Sequence, residues 1–570
     1  MKAITRYRYG FIAIATAFIF AGCESLDDSI TEDPYGGGKE PLGIKLMAEA
    51  PKPEKGYPGD TIVFKAKGLM NLYDENVQDF KFKFYMNEVE TPVYAATDST
   101  LTVIVPENVS TGLTYLVAEN QVFYGPSFTV LGNLTIDSDY KLASQLIGGA
   151  IYDYLESQNS GVPHNYYLVG AFRNIEKTTY NGLVFINEQG TLATKNTANY
   201  ALEYGFVPSI YDSGSEETYI SSISYFKDKR MLITGAFSSF FTSYSDITLM
   251  PKNQFPTYNV AILEKNARAD TTHVFFKEFG SISDAKKQFQ PLGSYNGGTN
   301  SAITRSFVTK DQNVILTGNF TQYFRTNYAE WFSENTETVT DVTCVVRTND
   351  EGLLDENYRN KKDGYLGITD GSINDAYMDS DDGVVLVGTF TSFDNIPVNG
   401  IVRLDKDGNV DRSFLANIGA GVDQPILKAR YNPSQKKAVL AGRFTSFDGK
   451  SRYGLALIDN SGNLDETFVP KEISGGTFDF GTLLNANKIV ASGSFRLYDG
   501  IPRQGFVVLE PDGTAIQRYN VPGEFSGELF QVIETETSIG NYGLLLIGNI
   551  TRFNGKAVNN AVMLEADFNE

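Results

Sequence analysis

The chain has 570 residues, 42% of them hydrophobic and 13% aromatic, and a net charge of −21. That length exceeds one ordinary domain and that composition buries a real core, so two or more folded units are expected. The acidic balance disfavours nucleic acid and anionic lipid as partners.

Lys2, Arg6 and Arg8 precede an apolar run from Phe11 to Phe20, which ends in Ala21-Gly22-Cys23. The run is too short to span a bilayer and fits the core of an export signal over residues 1–22. Small residues directly before a cysteine resemble a bacterial lipobox. The resemblance implies acylation of Cys23 and anchorage in a membrane, each buried CH₂ adding about 0.8 kcal/mol. A plain cleaved signal with an incidental cysteine is the alternative. Glu24, Asp27 and Asp28 follow at once. Such acids resemble the signal that sends Bacteroidota lipoproteins to the outer face of the outer membrane. Residues 23–40 read as a lipidated, flexible tether, rich in Asp, Glu and Gly. Loss of residues 1–22 removes three cations and no acid, taking the net charge from −21 to −24. Only Cys344 then remains free, in the strand-like VTCVV. No disulfide can form within the chain, and stability must come from core burial.

Residues 41–131 read as a first unit. TIVFKAKGL (61–69), DFKFKFYMN (79–87), STLTVIVPE (99–107), STGLTYLVAEN (110–120) and PSFTV (126–130) are short alternating strands between turns. That spacing predicts a β-sandwich. The order of these segments resembles the Ig-like fold of TIG/IPT domains, which serve as spacers or docking modules.

From residue 132 to 570 a refrain takes over. LVGTFTSFDNIPVNGIVRLDKDGNVDRSF (386–414) and LAGRFTSFDGKSRYGLALIDNSGNLDETF (440–468) align without a gap and share thirteen identities. Shorter versions surround glycines 170, 235, 318, 493 and 548, each followed by a second apolar strand. All-β self-similarity at this period predicts a propeller or solenoid, because one small sheet cannot bury both of its faces. Seven copies suit a closed ring, though the spacing admits six or eight, and residues 132–165 are available to complete the last copy. The refrain resembles the delta-sixty type of β-propeller repeat, strongly in copies 4 and 5. The expected fold is therefore all-β: an Ig-like sandwich followed by a seven-bladed β-propeller. Residues that recur in every copy are expected to be architecture, such as the anchor glycine and Phe390, Phe444 and Phe495.

Candidate chemistry is sparse. DKDGNVD (405–411) alternates oxygen ligands as a calcium loop does, yet copy 5 has DNSGNLD and no closing glutamate follows, so a hairpin turn explains it better. His164 and His273 lack companion ligands for zinc. Neither a nucleophile elbow nor a phosphate loop is present. No catalytic residue, metal or cofactor is assigned. A propeller glycoside hydrolase or polysaccharide lyase is the alternative, since some carboxylate pair is inevitable among 69 acidic residues.

The refrain breaks in copies 2 and 3, where the loop after the anchor is longer (238–258 and 321–341). These insertions hold Phe241, Tyr244, Tyr323, Tyr328, Trp331 and Phe332. Aromatics in a polar loop suit sugar stacking or a protein partner, so the six are candidate binding residues. A small core that holds the insertions down is the competing explanation. The chain as a whole resembles Bacteroidota lipoproteins encoded beside starch-utilisation-type (SusCD-like) transporters. That resemblance implies a non-catalytic surface protein of the outer membrane, binding glycan or peptide nutrient and docking to the transporter.

Overall fold

The computed structural model describes residues 41–568, apart from 143–145, 159–162, 173, 176–177, 180–181, 193–217, 242–253, 266, 268, 278–288 and 360–363. Cys23 and the export segment lie outside the described residues.

Thr61–Lys67 shows how the first unit forms. Ile62, Phe64 and Ala66 are buried and the residues between them face outward, the period of a half-buried strand. Two sheets result. One orders Lys45–Leu46, Thr61–Lys67, Thr100–Ile104 and Val93–Ala96; the other orders Lys55–Gly56, Gln121–Val130, Gly112–Ala118, Lys83–Met86 and Val89–Thr91. Their inner faces meet around Phe64, whose ring lies 5.1 Å from Phe84 and 6.3 Å from Phe128.

Beyond residue 132 the described strands form a β-propeller of seven radial sheets. The inner strands are Ile151–Glu156, Tyr219–Tyr225, Ile303–Val308, Ile373–Met378, Ile426–Asn432, Phe478–Leu483 and Ser526–Glu536. Each packs against the next, and the seventh returns to the first. In every blade the inner strand pairs antiparallel with the strand that carries the anchor glycine, and that strand pairs with the second apolar strand of the refrain. Leu134–Ile136 adds to Ala561–Ala566, with Leu134 opposite Ala566. Residues from both ends of the propeller thus build one blade, which closes the ring.

The refrain is explained blade by blade. A Cβ on Gly388 would lie 2.0 Å from the Ser372 carbonyl oxygen, and one on Gly442 would lie 2.3 Å from that of Pro425. The inner strand bulges at the same place in both blades. Only glycine allows that approach. Phe390, Phe444 and Phe495 are buried, each packed with residues of the preceding blade. Asp370 accepts hydrogen bonds from the backbone N–H of Thr391 (2.9 Å) and Ser392 (3.1 Å). Asp423 does the same for Thr445 (2.8 Å) and Ser446 (2.9 Å). The Thr-Ser pair of the refrain is therefore pinned by an aspartate of the preceding loop. Cys344 is buried, and burial pushes its thiol up to about 11.

The sandwich stands on blades six and seven. Val521 enters the sandwich core. The Thr111 N–H donates to the Val521 carbonyl at 2.8 Å, and Gln504 donates to the Asn87 side chain at 3.0 Å. Arg503 is buried and donates to the Asn108 carbonyl at 3.1 Å; burial pulls its guanidinium down to about 10.

Candidate functional site

The inner strands place their side chains in layers across the channel. Ile151, Ile220, Ile303, Ile373, Ile426, Phe478 and Leu529 lie opposite the anchor glycines. Two residues further along each strand stand Asp153, Ser222, Arg305, Asp375, Lys428, Phe480 and Gln531. Six of the seven are polar, and the ring brings them to one axis.

Arg305 donates to Asp375 at 2.9 Å and lies 3.6 Å from Asp153. Arg430 pairs with the second oxygen of Asp375 and donates to the Phe530 carbonyl at 2.9 and 2.8 Å. Gln531 donates to Asp153 at 3.0 Å. Burial opposes the charge of every member. At Asp375 the guanidiniums of Arg430 and Arg305 outweigh burial and hold the carboxyl far below its ordinary value. At Asp153 burial wins and raises the carboxyl, with Arg305 only partly offsetting it. This network joins blades one, three, four, five and seven and plugs the channel. A cavity of about 610 Å³ lies on one side of the plug and one of about 490 Å³ on the other.

The smaller cavity opens where the inner strands begin. Tyr152 sits edge-on to Phe530 at 4.9 Å and to Tyr219 at 5.5 Å. Lys428 pairs with Glu528 and rests 4.4 Å from the centre of the Phe530 ring.

Beside this mouth is a larger cleft, about 900 Å³, between the sandwich and the propeller. Asn87, Thr111 and Leu113 line it from the sandwich, and Asp479, Ser494 and Gln504 from the propeller. Residues 526 and 527 line the cleft and Glu528 lines the channel mouth, so the two adjoin along one strand. Asn87 makes the joint. It occupies a positive-φ turn (φ 42°), its N–H donates to the Leu113 carbonyl at 2.8 Å, and its side chain donates to Ser110 at 2.7 Å. Asp479 is the unusual group of the cleft. Burial, reinforced by the Glu528 charge, raises its carboxyl to about 6, against the pull of Lys428.

The residues singled out from sequence lie elsewhere. Tyr323 is buried, not presented to a ligand: its hydroxyl donates to the Gly352 carbonyl at 2.8 Å and lies 3.2 Å from the Tyr295 hydroxyl. The reason was readable. Tyr323 follows Gly318 by the same interval at which the buried Phe393 and Phe447 follow Gly388 and Gly442, so it is a core position of the refrain. Tyr328 is half-buried, edge-on to Phe276 of blade two at 6.2 Å. Trp331 is 42% exposed. Neighbouring Glu330 accepts from the Lys277 N–H at 2.7 Å, so the blade-three insertion leans on blade two. Neither Tyr328 nor Trp331 lines the cleft or the channel mouth among the described residues. Tyr244 and the side chains of Phe241 and Phe332 lie outside the described residues.

The acidic loop of copy 4 is an Asx turn. Asp405 accepts from the N–H groups of Asp407 and Asn409, both at 2.9 Å. Asp411 caps the helix Arg412–Ile418 and pairs with Arg403 at 2.6 Å. Among the described residues no cluster of three or more His, Cys, Asp or Glu side chains is placed to hold a metal ion.

The channel residues escaped the sequence reading, though a signal exists. The inner strands read IYDYL, ITRSF, INDAY, ILKAR and FDFGT, one or two charged residues inside otherwise apolar or neutral strands. An unpaired charge there would be costly, so in a ring of such strands the charges must meet one another.

Three family models match parts of the chain. Domains of unknown function DUF5008 and DUF5124 match residues 19–126 and 130–227. The DUF5122 β-propeller, also of unknown function, matches residues 380–414 and 437–468. No curated protein matches by sequence. Similar solved structures include the WD40 propeller of Doa1 (12% identity, 76% of this chain and 97% of that one, TM-score 0.36). Others come from Bacteroides thetaiotaomicron, among them the following two. One is an auxiliary nutrient binding protein (11% identity, 81% and 97% covered, TM-score 0.24). The other is a putative phosphatase (8% identity, 93% and 98% covered, TM-score 0.29).

Proposed function

We propose that this chain is a non-catalytic lipoprotein on the outer face of the outer membrane. Cys23 anchors it, the sandwich and propeller bind a nutrient glycan between them, and the assembly serves a SusCD-like uptake transporter. One observation carries the reading: the cleft of about 900 Å³ built jointly by the two units. Its volume is that of a ligand site. Gln504 and Asn87 bond each other at 3.0 Å and Ser494 accepts from the Thr477 N–H at 3.1 Å; the N–H and O–H groups these bonds leave over are what a hydroxyl-rich ligand would meet. Two of the cations that line it are paired, Arg496 with Glu88 at 2.9 Å and Arg552 with Glu524 at 3.7 Å.

The test has two arms on the full-length lipoprotein in mild detergent. Calorimetric titration with amylopectin, galactomannan, xyloglucan and a tryptic casein digest asks for the ligand. Mass spectrometry of what co-purifies from the native outer membrane asks for the transporter. Affinity for a polysaccharide with a co-purifying barrel is the expected result. Binding of the peptide digest alone overturns the glycan; recovery of the protein alone overturns the transporter.

One observation favours a second reading, a propeller glycosidase or lyase. Asp479 lines the cleft, Glu528 lines the adjoining channel mouth, and burial raises the Asp479 carboxyl to about 6. New reducing ends released by the wild type and lost in Asp479→Asn would decide for it.

A further inference from the structure

A row of tyrosines crosses the outer face of the five-stranded sandwich sheet. Tyr115 stands directly opposite Tyr85 on one neighbouring strand and Tyr124 on the other. The Tyr85 and Tyr115 rings stack at 4.9 Å and 13°, and Tyr124 follows at 6.2 Å. Tyr124 is 66% exposed, and Leu113 and Val122 on the same face are exposed too. A soluble domain gains nothing from presenting such a row to water.

The row leads into the cleft. A further cavity of about 520 Å³ lies against Tyr115 and Tyr124. Its other lining residues include Asn87, Leu113 and Gln504, which also line the large cleft. A ligand seated between the units and longer than the cleft would therefore run up the tyrosine face.

The chemistry selects the occupant. The strands of Tyr85 and Tyr115 are paired on both sides at these residues, so no peptide can add as a strand between them. The nearby charges are tied to each other, Lys83 to Glu90 at 2.7 Å and Arg496 to Glu88 at 2.9 Å. The chain carries −21 overall, which repels an anionic polymer. Flat rings beside amides suit the apolar faces and hydroxyl edges of sugars. We infer that Tyr85, Tyr115 and Tyr124 form a platform that extends the cleft and binds the continuing chain of a neutral polysaccharide. This rests on the glycan reading of the cleft and adds chain length and neutrality to it.

The test titrates the full-length lipoprotein in detergent with amylopectin, galactomannan and xyloglucan, with their disaccharides, with polygalacturonate and with a casein digest. Tyr124→Ala should lower affinity for the bound polysaccharide about tenfold, the loss of one aromatic anchor. It should leave the disaccharide unchanged, and Tyr124→Phe should bind as the wild type. Tyr124 is exposed, so thermal melts should coincide. If Tyr124→Ala and Tyr115→Ala bind the polysaccharide normally while Gln504→Ala loses it, the platform is overturned and the cleft reading stands. If the wild type binds no polysaccharide, both fall. Tighter binding of polygalacturonate overturns neutrality, and casein binding lost in Tyr124→Ala makes the platform a peptide site.

Discussion

The aspartates of the blade turns and the aspartates of the channel differ in what receives their charge. Asp370, Asp405 and Asp423 recur with the refrain and accept bonds from backbone N–H groups within their own blade or its entry loop. Asp153 and Asp375 share an inner-strand position that is acidic in only two blades, Asp479 stands alone at its own, and all three face guanidinium, ammonium or carboxylate groups of other blades. Recurrent acids do local work that every copy needs. Solitary acids do work that exists only after the ring has closed. The same contrast separates the well-matched blades four and five, which carry structure, from the cleft beside blades six and seven, where recognition is proposed.

Breaking the solitary set should cost most. Arg430→Ala strips Asp375 of a buried partner and should destabilise the protein by about 3–5 kcal/mol at pH 7, measured by denaturant unfolding. Asp375 is depressed in the fold. Its contribution is therefore present above the unfolded value of 3.8 and lost as pH falls toward the depressed folded value. The gap between wild type and variant should narrow below about pH 4. If it stays constant, the pair does not hold the charge as described.

Asp479 runs the other way. Its carboxyl rises from 3.8 to about 6, so the fold holds this proton more tightly than the unfolded chain does. The stability linked to that proton is complete below the unfolded value and lost as pH rises through about 6. Asp479→Asn should match the wild type near pH 4 and exceed it by about 2 kcal/mol at pH 7. Equal stabilities across that range would show the cleft to be wetter than the geometry implies.

Among the recurrent acids, Asp423→Ala frees the N–H groups of Thr445 and Ser446 and the Thr445 hydroxyl. The loss should be about 1 kcal/mol, with little change between pH 5 and 8. The smallest effect belongs to Trp331→Ala. At 42% exposure on the insertion it should move stability by no more than about 0.5 kcal/mol. It should also leave glycan affinity in the cleft unchanged; a clear loss would move recognition to the insertions.

The all-β class and the propeller refrain were legible because they are periodic. A strand, a glycine and a buried phenylalanine at fixed intervals require the same packing in each copy. Tyr323 shows the limit of reading residues by type: an aromatic in a long loop looks like a ligand platform until its interval from Gly318 is compared with Phe393 after Gly388. The tyrosine row was equally hidden. Tyr85, Tyr115 and Tyr124 are unremarkable alternating strand residues until strand pairing sets them side by side.

By itself the sequence determined what each blade repeats: the anchor glycines, the phenylalanines between blades and the turn aspartates. Those depend on neighbours a few residues away or on the identical place in the next copy. Tertiary structure alone decided the plug and the cleft. Ring closure brings Asp153, Arg305, Asp375 and Arg430 to one axis, where burial makes unpaired charge costly and pairing obligatory. The seat of the sandwich on blades six and seven sets Asn87 against Gln504 and opens the cleft between them. Both arise from contacts between segments from 55 to 417 residues apart, whose meeting no local pattern encodes.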